Sequence, residues 1–241
     1  MGGRVYASVL GLVSPRPPMV QVIPLSGRYI PRPNDVVIGT VTDAQGTFWL
    51  LDIGAPRWAP LHMTGTPWKV DIGETERYLR VGDAVIVQVE SLDPTGRIGV
   101  TMLGEGLGKL EGGTIVHVTP ARVPRVVGRD GSMIQTITRH TGAQVAVGQN
   151  GRIWVDGTPE AIRQVSAVLH FIDEHGHRPG LTDRVGSYLR ATQPAAEAGA
   201  VGTPPEPSHR DGSEEGFTPI VPPEDEAEPG ADRDSYDAQD P

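Results

Sequence analysis

Hydrophobic positions change their spacing three times along the chain. In residues 1–32 two short apolar segments, 5–13 and 19–25, flank Ser14-Pro15-Arg16-Pro17-Pro18. This pattern predicts two strands joined by a proline-rich turn. A hairpin alone is marginal in water, so it must pack on a neighbouring domain or on a partner. From 33 to 104 the alternation is of period two. Strands are predicted over 36–41, 47–53, 57–63, 83–90 and 97–102, with turns at 43–46 and 93–96. The longest connection, 64–82, falls between the third and fourth strands. Five short strands with one long excursion at that point fit an OB-type β-barrel.

The glycine-rich stretch 105–113 (EGLGKLEGG) reads as a linker. Beyond it the pattern mixes periods. A strand is predicted over 114–119 and a short helix over 123–127, with Pro124 in its first turn. A helix over 132–140 carries Met133, Ile134 and Ile137 on one side and ends at Gly142. A hairpin follows, with strands 143–147 and 152–156. Thr158-Pro159-Glu160 starts a last long helix: a hydroxyl cap, a proline in the first turn and an acid at the positive end of the dipole. Ile162, Val165, Val168, Leu169 and Ile172 form its apolar stripe, and Gly176 ends it. One more short helix is predicted over 182–191. After that no periodicity survives, and the segment 192–241 holds 9 of the 23 prolines. The expected fold class is therefore mixed and multidomain. It comprises an N-terminal β-hairpin region (1–32), a five-stranded OB-type barrel (33–104), an α+β domain (112–177) and a disordered acidic tail (192–241).

Charge alters this picture only when divided. The formal net charge is −9, which argues against nucleic acid. Residues 191–241, however, contain 13 Asp/Glu and 2 Arg, whereas 112–190 contain 9 Lys/Arg and 6 Asp/Glu. The positive excess gathers around two glycine-bracketed loops. No cysteine is present, which excludes disulfides and thiol catalysis. No apolar run reaches the roughly 18 residues of a membrane helix, and no secretory signal pattern opens the chain. A cytoplasmic protein without membrane contact is expected.

The first loop is Gly128-Arg129-Asp130-Gly131, placed just before a helix. Two glycines let the backbone approach a ligand, and the helix start offers N–H groups and a positive dipole end to phosphate. A G-x-x-G loop that clamps four nucleotides is the mark of the KH module, and the order β-α-GxxG-α-β-β-α agrees with it. Candidate RNA-binding residues are Arg122, Arg125, Gly128, Arg129, Asp130, Gly131 and Ser132, with Ser132 also expected to cap the helix. Asp130 opposes phosphate and is expected to face solvent. The second loop, Gly148-Gln149-Asn150-Gly151, reads mechanically as a tight hairpin turn. On the barrel, alternation puts Trp49, Leu51 and Ile53 inward and leaves Phe48 on the other face. Phe48 and His62 are candidates for stacking a base, with Arg57 and Arg97 as phosphate partners; Lys69 and Arg77 in the long loop are weaker ones. Asp71, Glu74 and Glu76 read as a solvated loop. His170, His175 and His177 read as a helix end favoured by the dipole. No Walker loop, HExxH or GxSxG is present, so no catalytic residue, metal site or cofactor is expected.

The strings GGTIVHVTPARVPRVVGRDGSMIQTITRHTGAQVAVGQNGRIWVDG and VIPLSGRYIPRPNDVVIGTVTDAQGTFWLLDIGAPRWAPLH resemble the archaeal exosome's RNA-binding cap subunit, the one with S1-type and KH domains. The likeness spans about 5–175, and Gly148, Asn150 and Gly151 mark the family. It implies a non-catalytic subunit, three to a cap, seated on a hexameric ring of phosphorolytic exoribonuclease subunits. The N-terminal region would dock on the ring, the S1-type domains would line a pore, and single-stranded RNA of broad sequence would be fed inward. The family pattern carries residues ahead of Val5, so the resemblance implies either a start upstream of Met1 or a shortened ring contact. A stand-alone RNA-binding regulator built from the same modules is the competing reading.

Overall fold

The computed structural model describes residues 6, 10–16, 19–24, 27–93, 95–176 and 180–192. The expected tail lies outside them, except that Thr192 ends a helix. The N-terminal strands β1 (Gly11–Arg16) and β2 (Met19–Pro24) form an antiparallel sheet of their own, in register from Gly11↔Pro24 to Arg16↔Met19. The second strand starts at Met19 as expected, and the first runs on to Arg16, past its expected end at Val13; residues 5 and 7–9 of its expected span lie outside the described residues. Ser14, Pro15 and Arg16 were assigned to the turn and belong to β1, while Tyr6 and Leu10 lie outside any strand. Proline tolerates extended backbone in an edge strand, so Pro15 does not end the ladder.

The barrel comprises β3 (Val36–Ala44), β4 (Phe48–Asp52), β5 (Ala59–His62), β6 (Ala84–Leu92), β7 (Ile98–Thr101) and β8 (Gly108–Leu110). Its strand order is β3-β4-β5-β7-β6-β8, and a β3–β6 pairing closes the first five into a cylinder. β5 and β7 run parallel; the other pairs are antiparallel. Trp49, Leu51 and Ile53 are fully buried with Val37, Leu61, Val85 and Val87, as the alternation requires. The Trp49 indole N–H donates to the Leu79 carbonyl (3.1 Å), which ties the long excursion to the core. Tyr29 is held the same way: its hydroxyl donates to Asp35, and burial, reinforced by that carboxylate, pushes its ionisation far above the ordinary range. Strand β8 falls inside the expected linker. Its Leu110 is buried, and Lys109 pairs with Asp83 at 2.9 Å. Three residues are too few for a period to register.

The α+β unit follows in the predicted order: β9 (Thr114–His117), α1 (Val123–Val127), α2 (Ser132–Thr141), β10 (Gln144–Val147), β11 (Arg152–Asp156) and α3 (Pro159–His175). The sheet runs β10-β11-β9, antiparallel throughout. Thr158 caps α3, accepting from the Ala161 N–H (3.2 Å). Helix α4 (Leu181–Thr192) is one residue longer at each end than expected. Its Leu181, Val185 and Leu189 are buried in the same core as Ile134, Ile137 and Leu169, so α4 is an integral layer of the unit. A separate cluster of Val36, Ile38, Ile86 and Leu110 from the barrel with Ala146 and Trp154 joins the two halves.

Candidate nucleic-acid interface

The first glycine loop owes its shape to four consecutive residues. Gly128 (φ 76°, ψ 174°) breaks away from α1, Asp130 (φ 52°, ψ 34°) turns left-handed, and Gly131 (φ 71°, ψ 9°) leads into α2. A Cβ on Gly128 would stand 2.7 Å from the Met133 backbone N and Cβ, so only glycine lets the loop fold back on the helix start. Asp is among the few side chains that accept the left-handed region. The Asp130 side chain is exposed, as are Arg129 and Arg125; Arg122 is half-buried. Ser132 does not cap α2 as expected. It is the first helical residue, and the capping position belongs to Gly131, which has no side chain to offer. The N–H groups of the first turn therefore carry no side-chain cap, which leaves the positive end of α2 beside the loop. Along the same helix, α2 and the edge strand β10 border an open cleft of about 430 Å³, lined by Gln135, Thr138, Arg139 and Gln144 among others.

The second loop does more than turn a hairpin. Gly148 donates to the Arg152 carbonyl (2.8 Å) and Gly151 to the Gly148 carbonyl (3.0 Å), which is the turn the spacing predicts. Its side chains, however, bond to the backbone of the barrel. The buried Asn150 amide donates to the Ile38 carbonyl (2.7 Å) and the Ile53 carbonyl (2.8 Å), and its oxygen accepts from the Ile38 N–H (3.3 Å). The Gln149 side-chain oxygen accepts from the Val36 N–H (2.7 Å), while its own N–H donates to the Val36 carbonyl (2.8 Å). A Cβ on Gly148 would lie 2.8 Å from the Ile38 nitrogen, so the approach is as close as backbone allows. Arg152 completes the join, reaching the Asp52 carbonyl and its carboxylate (2.7 Å). Burial raises the Asp52 pKa, but the Gly54 N–H and the Arg152 guanidinium outweigh it and hold the carboxyl below its ordinary range.

The barrel candidates divide into two groups. Phe48 and His62 face each other across β4 and β5, with Phe48 half-buried and His62 exposed. His62 Nδ1 also caps the following 3-10 turn, accepting from the Thr64 N–H (3.4 Å), and lies 2.8 Å from the Thr64 hydroxyl. Arg57 and Arg97 were expected in strands; both precede them, on the loops that enter β5 and β7. Since β5 and β7 are parallel, the two arginines share the other end of the barrel, ~10 Å away along a four-residue strand. Arg57 lies against Gly96: a Cβ there would be 3.8 Å from its Nε. Beside it Trp58 is 63% exposed, on the loop before β5 rather than in the strand expected over 57–63. In the long excursion Lys69 is exposed, and Arg77 is paired with Glu74 at 2.6 Å. Among the described residues no group of three His, Asp or Glu gathers as a metal site.

An OB-type barrel locked against a KH domain defines the class of protein: a two-module chain whose second module carries a GxxG loop with Arg129 and Asp130 exposed, Gly128 half-buried and Gly131 buried. The KH domain family matches residues 113–161. Exosome complex component Rrp4 of Pyrococcus horikoshii is 41% identical over 213 residues, 85% of this chain and 80% of that protein. The Methanosarcina mazei Rrp4 is 43% identical over 187 residues, 78% and 72% of the two chains. A crystal structure described as that of an exosome complex RNA-binding protein superposes with a TM-score of 0.62 at 32% identity, covering 69% of this chain and 97% of that one. The chain belongs to the Rrp4 family of exosome complex components.

Proposed function

We infer that this chain is an RNA-binding, non-catalytic cap component of an exosome of the archaeal kind. In this reading it binds single-stranded RNA of broad sequence and guides the 3′ end into a hexameric ring of phosphorolytic exoribonuclease subunits, with three copies forming the cap. The observation that carries it is the extent of the relationship to Rrp4, which runs through both modules rather than the KH segment alone. The GxxG loop supplies a place for RNA: exposed Arg125 and Arg129 flank a backbone turn at an uncapped helix start, where phosphate is favoured. The recognition is of the backbone, since the loop offers few groups that can read base edges. The hairpin β1–β2 supplies a place for the ring. It is a sheet of two strands with Val13 65% and Val20 69% exposed, a state that a partner surface would stabilise. Affinity purification of the tagged, full-length chain from its native cells tests the reading. Ring-forming exoribonuclease subunits are expected to co-purify in stoichiometric amounts; recovery of the chain alone would overturn it.

A further inference from the structure

Helices α3 and α4 meet along a row of rings that the GxxG loop does not use. Phe171 stacks on His175 (centroids 4.5 Å, planes 23° apart) and on Tyr188 (5.5 Å, 15°), and the Arg184 guanidinium lies 5.2 Å from the Phe171 centroid. Phe171 and His175 are one turn apart on α3, as are Arg184 and Tyr188 on α4, so two i,i+4 pairs face each other. All four side chains are only half-buried. Leu181, Val185 and Leu189 seat α4 in the core from its buried face, and Phe171 and Tyr188 pack against the margin of that core. Phe171, Arg184 and Tyr188 line an open cleft of about 460 Å³ with the exposed Asp183 and Ser187 on its rim. The ring row begins where α3 ends against the loop arginines: a Cβ on Gly176 would stand 3.2 Å from Arg122 Cδ and 3.7 Å from Arg125 Cγ.

We propose that this cleft is a second RNA contact, a stacking site for a nucleobase of a single strand that leaves the GxxG loop across Arg122 and Arg125. The proposal rests on the RNA-binding reading above. Aromatic faces stack any base, and arginine beside them adds cation–π and phosphate attraction, which is how single strands are tracked without sequence readout. Asp183 would repel phosphate but can accept from an exocyclic amino group, as acids do with the N4 amine of cytosine. The site therefore takes amino-bearing bases over uracil.

Fluorescence anisotropy with the full-length chain tests this, using oligoadenylates of about four nucleotides, the span a GxxG loop grips, and of about three times that length. Tyr188→Leu keeps apolar volume and removes the ring; Arg184→Gln removes the cation without touching the core. Each is expected to weaken the longer oligoadenylate roughly five- to a hundred-fold, to spare the short one, and to cost less with oligouridylate. Unchanged binding of the longer strand in Arg184→Gln, or equal losses at both lengths, would overturn the proposal. Arg125→Glu with Arg129→Glu, run in parallel, separates the two levels. If that pair still weakens both lengths while the cleft variants do nothing, RNA binding stands and the cleft has no part in it. If no variant matters, RNA binding itself falls.

Discussion

Replacing Asn150 by Ala would leave the Ile38 N–H and the carbonyls of Ile38 and Ile53 without their partner inside a closed interface. An orphaned buried polar group costs about 1–3 kcal/mol, and the side chain is only 6% exposed, so water offers little relief. We expect Asn150→Ala to lower unfolding stability by about that amount and Asn150→Asp to lower it more, because a carboxylate cannot donate to two carbonyls. Urea unfolding followed by Trp fluorescence measures it; an unshifted midpoint would mean that the turn does not tie the modules together. Nothing in Gln149-Asn150 announces this role. Asn-Gly is also the preferred pair of a tight turn, and the turn is present. The carbonyls that Asn150 satisfies lie 97 and 112 residues away, beyond any local pattern.

The GxxG element invites a different measurement. Arg125 and Arg129 are exposed on either side of Gly128. If they neutralise phosphates, Arg125→Glu with Arg129→Glu will weaken RNA and reduce the slope of log affinity against log salt by about two, one unit for each lost contact. Titrations over a salt series read the slope directly, and an unchanged slope would make the loop structural. This element was legible early. The paired glycines, the strand before and the helix after all follow from residue type and spacing. Only the capping assignment failed, because Ser132 is the first helical residue and Gly131 holds the capping position. The barrel candidates were less legible: Arg57 and Arg97 were read as strand residues, whereas loops hold them at the end away from Phe48 and His62. Strand ends are set by which residues find a partner. Leu61↔Val100, the single pair of the parallel β5–β7 ladder, could not be foreseen from either segment.

For the molecule as a whole, acid should loosen the join between modules. Asp52 has its pKa lowered in the folded state by the Gly54 N–H and Arg152 against the upward pull of burial. A depressed carboxyl contributes stability that is fully present above its unfolded pKa of about 3.9 and is lost as pH falls through the folded value. Asp83, held down by the Arg80 N–H and Lys109 against its own desolvation, acts in the same direction where β8 meets the barrel. We expect stability to fall below about pH 4, and Asp52→Asn to flatten that fall without abolishing it. Thermal melts between neutral and acid pH check this; an identical acid slope in the variant would show that the Arg152 pair does not couple the halves.

Local pattern was enough for most of the strands and helices, for five strands of an OB-type barrel and for the order of the KH elements. Period two, period three to four, caps and turn residues act over a few positions and need no partner elsewhere in the chain. The glycine loop belongs to this group too. Tertiary structure alone decided three other things. It added β8 to the barrel, made α4 a layer of the KH core, and turned Gln149, Asn150 and Arg152 into the clasp between modules. Each depends on a buried surface or a hydrogen-bonding group contributed by a segment distant in sequence. Such contacts arise from packing, which a one-dimensional pattern does not encode.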